Sequence, residues 1–197
     1  IRAIRQSLQG NRIQRVMGII NGTTNYILTR MSEEGGSFSA VLEEAQRLGY
    51  AEPNPANDIE GHDARFKLAI LSNLCFGHTI RLEDIHCEGI TRITADDIGY
   101  AVKLLAIGQE TQEGVDVRVH PAFIPLTHPL ASVRDANNAV FIEGNAVGEL
   151  MFYGRGAGDL PTASAIVSDV VGAVRERSTV RAGNPATRVR PGLACPV

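Results

Sequence analysis

Asp63 and Lys67 stand four residues apart in HDARFKLAILSNL, and Glu52 and Asp58 precede them in YAEPNPANDIEG. On a helix that spacing puts a carboxylate and an ammonium one turn apart on the same face. An amine in acidic company can pass a proton, and the acids can hold a cationic group such as a substrate ammonium. A plainer reading stands beside this one. An Asp four residues before a Lys is an ordinary helix pair worth about 0.2–0.5 kcal/mol, and a buried pair can be structural. Two features favour chemistry: Glu52 and Asp58 add carboxylates to the same loop and helix start, and Lys67 and Lys103 are the only lysines in a chain rich in arginine. A lysine can give up its proton, whereas a guanidinium cannot.

The helix that carries the pair is expected to open near Gly61, run to about Phe76 and close at Gly77 and His78. Ala64, Phe66, Leu68, Ala69, Ile70, Leu71 and Leu74 leave it little polar surface, which predicts a helix inside the domain. Residues 63, 67, 70, 71 and 74 share a face, which sets the ammonium in line with the apolar stripe. His62 is a weaker proton carrier, with helix capping or solvent exposure as its plain role.

Upstream, residues 1 to 9 predict a short helix stopped by Gly10 and Asn11, and Arg12 to Asn21 a strand ending in the apolar run Val16 to Ile20. In NGTTNYILTRM, Thr23 or Thr24 can cap a helix to about Glu34, ended by Gly35 and Gly36. A strand passing through Gly22 into a helix start exposes backbone N–H groups and threonine hydroxyls suited to a carboxylate, unless they serve capping alone. Ser37 caps a second amphipathic helix that ends at Gly49.

Downstream, residues 85 to 93 predict a short strand or turn, and Thr94 a cap for a helix over Asp96 and Asp97. Strands are expected over Tyr100 to Ile107, from Val115, and over Ala139 to Phe152, with turns at Glu110 to Gly114 and at Gly144 and Asn145. The late stretch FYGRGAGDLPTASAIVSD predicts strand, glycine turn and helix. Its glycines fail the GxGxxG spacing, so it is no Rossmann fingerprint. After Ser178 the chain reads as a linker or frayed end. Helices in the first half and strands in the second predict an α+β fold, a mixed sheet with helices on one face.

The 197 residues suffice for one good-sized domain with a core, and the formal charge of −3 gives no basic footprint for nucleic acid. No apolar run is long enough to span a bilayer, and the N-terminus lacks a secretory layout. Cys75, Cys87 and Cys195 show no CxxC spacing, which argues against a disulfide framework or zinc site and suits a reducing, cytoplasmic compartment. The opening without methionine, inside a helix, suggests a piece of a longer protein.

Four stretches taken together, GIINGTTNYILTRM, LEEAQRLGYAEPNPANDIEGHDARFKLAIL, VKLLAIG and GRGAGDLPTASAIVSD, resemble homoserine dehydrogenase in the family's order. The resemblance implies the substrate-binding and dimerisation domain of that family, without its N-terminal Rossmann domain. It implies reversible oxidation of L-homoserine to L-aspartate 4-semialdehyde with NAD or NADP, a homodimer, and a place in threonine, methionine and isoleucine biosynthesis. It further implies Lys67 as the acid/base lysine with Asp63 beside it, Glu52 and Asp58 at the substrate's amino end, and Tyr50, Gly22 and Thr23 lining the pocket. Gly156 and Gly158 would touch a cofactor held mainly by the missing domain. Asn54 replaces an acid common in the family's turn after Glu52. The corresponding division is 1–150 for the substrate domain, 151–180 for a strand, turn and helix returning toward the nucleotide-binding domain, and 181–197 for a tail. The alternatives are a non-catalytic domain that binds an amino acid or dimerises, and a phosphate-binding module built on the GRGAG turn.

Overall fold

The computed structural model describes residues 1–94 and 101–182. The helix expected over Asp96 and Asp97, the expected strand start at Tyr100, Cys195 and the tail from 183 lie outside them. The chain divides into two compact units, 1–156 and 157–197.

The first unit is built on a six-stranded sheet in the order β2-β4-β3-β1-β5-β6. Its strands are β1 (Ile13–Ile19), β2 (His86–Cys87), β3 (Ala101–Thr111), β4 (Gly114–Ile124), β5 (Asn137–Gly144) and β6 (Gly148–Arg155). All neighbours are antiparallel except β2 and β4, which makes the sheet mixed. Tight turns at 112–113 and 145–147 join β3 to β4 and β5 to β6, as the glycines at 114 and 144 suggest. The whole of β6 pairs with β5, so it belongs to the sheet. In β3 every residue from Val102 to Gly108 is buried, the signature of a strand covered on both faces.

Helices α1 (Arg2–Ser7), α2 (Gly22–Glu34), α3 (Phe38–Arg47), α4 (Ala56–Ile59) and α5 (His62–Phe76) precede most of the sheet in sequence. Ile27, Leu28 and Met31 of α2 and Leu68 of α5 join Val102, Leu104 and Ala106 of β3 in one core. Burying each of these Ile, Leu, Met and Val side chains contributes about 1.5–3 kcal/mol. On the opposite face Met17, Ile19, Leu105, Ile107 and Phe141 pack with Leu130 and Val133, which come from the segment between β4 and β5.

Three expectations change. The cap of α2 is Asn21, whose Oδ1 accepts from the Thr24 N–H, and neither threonine takes that role. Helix α5 is not enclosed: Ala64, Leu68 and Ser72 form its buried line, while Phe66 and Ile70 are 47% and 55% exposed. Lys67 therefore stands at the margin of the contact with the sheet, its side chain 47% exposed. Composition alone misled here, because an apolar helix on a sheet needs only one face covered. In the second unit α6 (Asp159–Ala182) continues past Ser178, where the sequence suggested fraying.

Candidate active site

Strand β1 ends at the point where the functional side chains meet. Its run Ile19-Ile20-Asn21 leaves the sheet and becomes the start of α2, with Asn21 extended and Gly22 the first helical residue. Gly22 is required by space: a Cβ there would fall 2.9 Å from the carbonyl oxygen of Ala136. The helix N-terminus is thereby pressed against the segment that leads into β5.

Helix α5 crosses the same point. Lys67 Nζ donates to Asp63 Oδ2 at 2.6 Å and to the Ile20 carbonyl at 3.0 Å. The expected pair is thus formed, and a backbone acceptor at the end of β1 aims it. Asp58 comes from α4, where the short helix and the left-handed Gly61, with φ 83°, turn the chain into α5. This turn is held from behind, since Ile90 N–H donates to the Ile59 carbonyl and a Cβ on Gly89 would lie 2.2 Å from that oxygen.

The residue that joins these elements is Asn21, only 6% exposed. Its Nδ2 donates to Asp58 Oδ1 at 2.7 Å and to Asp63 Oδ2 at 2.9 Å. Asp63 Oδ2 consequently accepts from both Asn21 and Lys67. Two carboxylates flank a neutral amide and the ammonium bonds the Asp63 one, so the two negative charges are separated by a hydrogen-bond donor.

Thr23 and Tyr50 are linked as well, for Thr23 Oγ1 donates to the Tyr50 carbonyl at 2.7 Å. The Tyr50 ring stacks on Tyr26 with centroids 4.6 Å apart, which fixes the start of the acidic loop against α2. Glu52 follows two residues later. Its backbone carbonyl accepts from Gln46 Nε2, and among the described residues its carboxylate makes no hydrogen bond or ion pair. The structure therefore unites Lys67, Asp63, Asp58, Gly22, Thr23 and Tyr50, and leaves the Glu52 side chain exposed beside them. His62 pairs with Glu60 at 3.1 Å instead of joining the cluster.

Gly156 sits at the end of β6, where a Cβ would fall 2.0 Å from Asn138 Nδ2. Asn138 Oδ1 is buried without a hydrogen-bond partner among the described residues. Gly158 belongs to the second unit, where its carbonyl accepts from Thr162 N–H at the start of α6.

The sequence reading passed over a second polar group beneath α2. Lys103, 4% exposed, donates to Asn25 Oδ1 at 2.9 Å, Thr29 Oγ1 at 3.3 Å and the Val133 carbonyl at 2.6 Å. Asn25 Nδ2 in turn donates to the carbonyls of Val133, Asp135 and Asn137. Burial lowers the Lys103 pKa from 10.5 to about 8. The network clamps residues 133–137 onto α2, directly beside Gly22. A lysine inside the apolar run AVKLLAIG was the available signal.

Comparison with known proteins gives one answer at every level. A family profile described as homoserine dehydrogenase matches residues 1–171. Homoserine dehydrogenase of Corynebacterium glutamicum is 50% identical over 185 residues, and that of Synechocystis 52% over 184, each alignment covering 88% of this chain. The chain spans only 42% of the length of these curated relatives. Among solved structures, a homoserine dehydrogenase from Thiobacillus denitrificans matches with TM-score 0.87 and 45% identity over 96% of this chain and 44% of that one. A hyperthermophilic archaeal homoserine dehydrogenase mutant in complex with NADPH matches with TM-score 0.77 and 31% identity, covering 89% of this chain and 51% of that one.

Proposed function

Because the chain belongs to the homoserine dehydrogenase family, we propose that it supplies the substrate-binding and catalytic part of an enzyme that interconverts L-homoserine and L-aspartate 4-semialdehyde. The carrying observation is the convergence of Lys67, Asp63 and Asp58 at the mouth of α2.

An ammonium has three N–H donors, and Lys67 spends two on Asp63 and the Ile20 carbonyl. The third points a proton at the substrate oxygen. In the reductive direction it protonates the aldehyde oxygen as that atom becomes a hydroxyl. In the oxidative direction the neutral amine keeps its two hydrogen bonds and takes the hydroxyl proton on its lone pair. Asp63 holds the amine in place, and Asp58 and Glu52 bind the substrate's ammonium. Thr23, Gly22 and Tyr50 line the pocket, with the N–H groups of the α2 start suited to the substrate carboxylate.

The reaction needs a nicotinamide cofactor, which supplies the hydride acceptor in one direction and the donor in the other. The archaeal relative's complex with NADPH supports that assignment. The chain has no nucleotide-binding fingerprint of its own, and its offering at the cofactor's reactive end is small. Asn138 Oδ1, a buried acceptor without a partner among the described residues and beside the bare Gly156, fits an amide donor such as the nicotinamide carboxamide. Gly156 in the first unit and Gly158 in the second are each proposed, separately, as a cofactor contact, with NAD or NADP as the dinucleotide. The same reading makes the enzyme a cytoplasmic homodimer in the biosynthesis of threonine, methionine and isoleucine. No helix among the described residues is long and apolar enough to cross a membrane.

The test is substitution in the full-length enzyme. Lys67→Ala should lower kcat by about 10²–10⁴-fold, the usual contribution of a general acid/base. Lys67→Arg should fail as well, since arginine retains its proton. Turnover within a few fold of the parent enzyme in either variant would remove Lys67 from proton transfer.

A further inference from the structure

Asn21 links the start of α2 to α4 and α5, and both polar atoms of its amide are used. Oδ1 accepts from the Thr24 N–H at 2.9 Å and from Thr24 Oγ1 at 3.0 Å. A backbone N–H can only donate, so this contact fixes which end of the amide is oxygen. Nδ2 is then turned outward with its two hydrogens, and it meets Asp58 Oδ1 at 2.7 Å and Asp63 Oδ2 at 2.9 Å.

We propose that Asn21 is a positioning residue for the reaction, a strut through which the start of α2 sets both Asp58 and the Asp63–Lys67 pair. The inference rests on the homoserine dehydrogenase reading and deepens it. Asp58 and Asp63 come from different helices, one on each side of the turn at Gly61. Without a shared donor the two carboxylates would repel and rotate apart. One neutral amide satisfies an oxygen of each and leaves the second Asp58 oxygen available to a substrate ammonium. The residue that bears this amide is joined directly to Gly22 and through it to Thr23. Any shift of the pocket wall formed by α2 is therefore transmitted to the acids and, through Asp63 Oδ2, to the lysine.

Helix capping and carboxylate positioning can be separated chemically. Serine caps a helix about as well as asparagine but brings no N–H pair. Asn21→Ser in the full-length enzyme should melt within a few degrees of the parent, while kcat/KM for homoserine falls about 10²-fold, as expected when reacting groups are misplaced by around 1 Å. The loss should appear in both constants: KM rises because Asp58 is released, and kcat falls because the Asp63–Lys67 pair is no longer aimed. In an Asp58→Asn background, Asn21→Ser should lose most of its effect on KM and keep its effect on kcat.

Asn21→Asp keeps the size and the cap but replaces the donors with a third negative charge, and should be more damaging than serine. It serves as the second variant if the serine protein does not fold. An enzyme with Ser or Asp at 21 whose kcat/KM stays within twofold of the parent overturns the proposal, as does a loss that merely tracks the fraction unfolded. Lys67→Ala measured alongside separates the two claims. Loss in Lys67→Ala with a fully active Asn21→Ser would remove the strut and leave the acid/base reading standing. Full turnover in Lys67→Ala would remove that reading and, with it, the strut.

Discussion

Asp63 Oδ2 is shared between Lys67 Nζ, at 2.6 Å, and Asn21 Nδ2, at 2.9 Å. A single carboxylate oxygen thus fixes the amine relative to the end of β1. Asp63→Asn keeps the shape and can turn its one oxygen toward both donors, but that acceptor is neutral and no longer balances the ammonium. Turnover in the full-length enzyme should fall by about 10²-fold or more, with Asp63→Asn still folded by circular dichroism. A kcat within threefold of the parent would show that neutral acceptors, the Ile20 carbonyl and the amide, are enough to hold Lys67.

The close approach of Gly22 to Ala136 gives a stability prediction. A Cβ placed 2.9 Å from a backbone oxygen cannot be relieved by a side-chain rotation, so one of the two segments must move. Gly22→Ala should destabilise the protein by about 1–3 kcal/mol, the usual cost of overpacking. Denaturant unfolding would measure it, and an unchanged midpoint would mean that residues 133–137 yield freely. The clamp by Asn25 argues against that.

Much of this was legible in the sequence because it is local. The Asp63–Lys67 pair follows from four-residue spacing, the ends of α2 and α5 from Gly35 and Gly77 in left-handed conformations, and β4 from alternation. The acidic loop and the four family-like stretches pointed to the reaction. What the sequence hid is long-range. The contacts of Asn21 with Asp58 and Asp63 span 37 and 42 positions, and those of Lys103 span 30 to 78. Asn21 was also obscured by its neighbours, since Thr23 and Thr24 are capping types too. The openness of α5 was missed because an apolar composition does not say how many faces are covered.

Cysteine chemistry offers an independent check on how α5 sits. Burial pushes the Cys75 thiol up to about 11, which leaves little thiolate at pH 8. In a Cys87→Ser, Cys195→Ser variant, Cys75 should react with a disulfide reagent about 10²-fold more slowly than a free thiol of pKa near 8.5. The rate should rise to the free value in denaturant. Fast reaction of the native protein would mean that the α5 face carrying Cys75 opens readily from α1.

Lys103 makes the sharpest prediction of pH dependence, because its ammonium is buried among neutral acceptors: Asn25 Oδ1, Thr29 Oγ1 and the Val133 carbonyl. Desolvation is the largest effect; Arg134 adds to it, Glu33 and Asp135 favour the ammonium without offsetting it, and the pKa falls to about 8. The folded value lies below the unfolded one, so between about 8 and 10.5 the unfolded chain binds the extra proton. Stability contributed by this site is therefore fully present above 10.5 and is lost as pH falls through 8. Relative to Lys103→Met, which cannot titrate, the parent protein should gain on the order of 3 kcal/mol from pH 7.5 to 10.5. At pH 7.5 the methionine variant takes from Asn25 Oδ1 its Lys103 donor and leaves the Val133 carbonyl only the bond from Asn25 Nδ2, a loss of about 1–3 kcal/mol. The two effects separate in paired denaturant titrations across this range. A constant difference between the proteins at every pH would mean that Lys103 holds its proton at ordinary lysine strength, and that water reaches the clamp beneath Gly22.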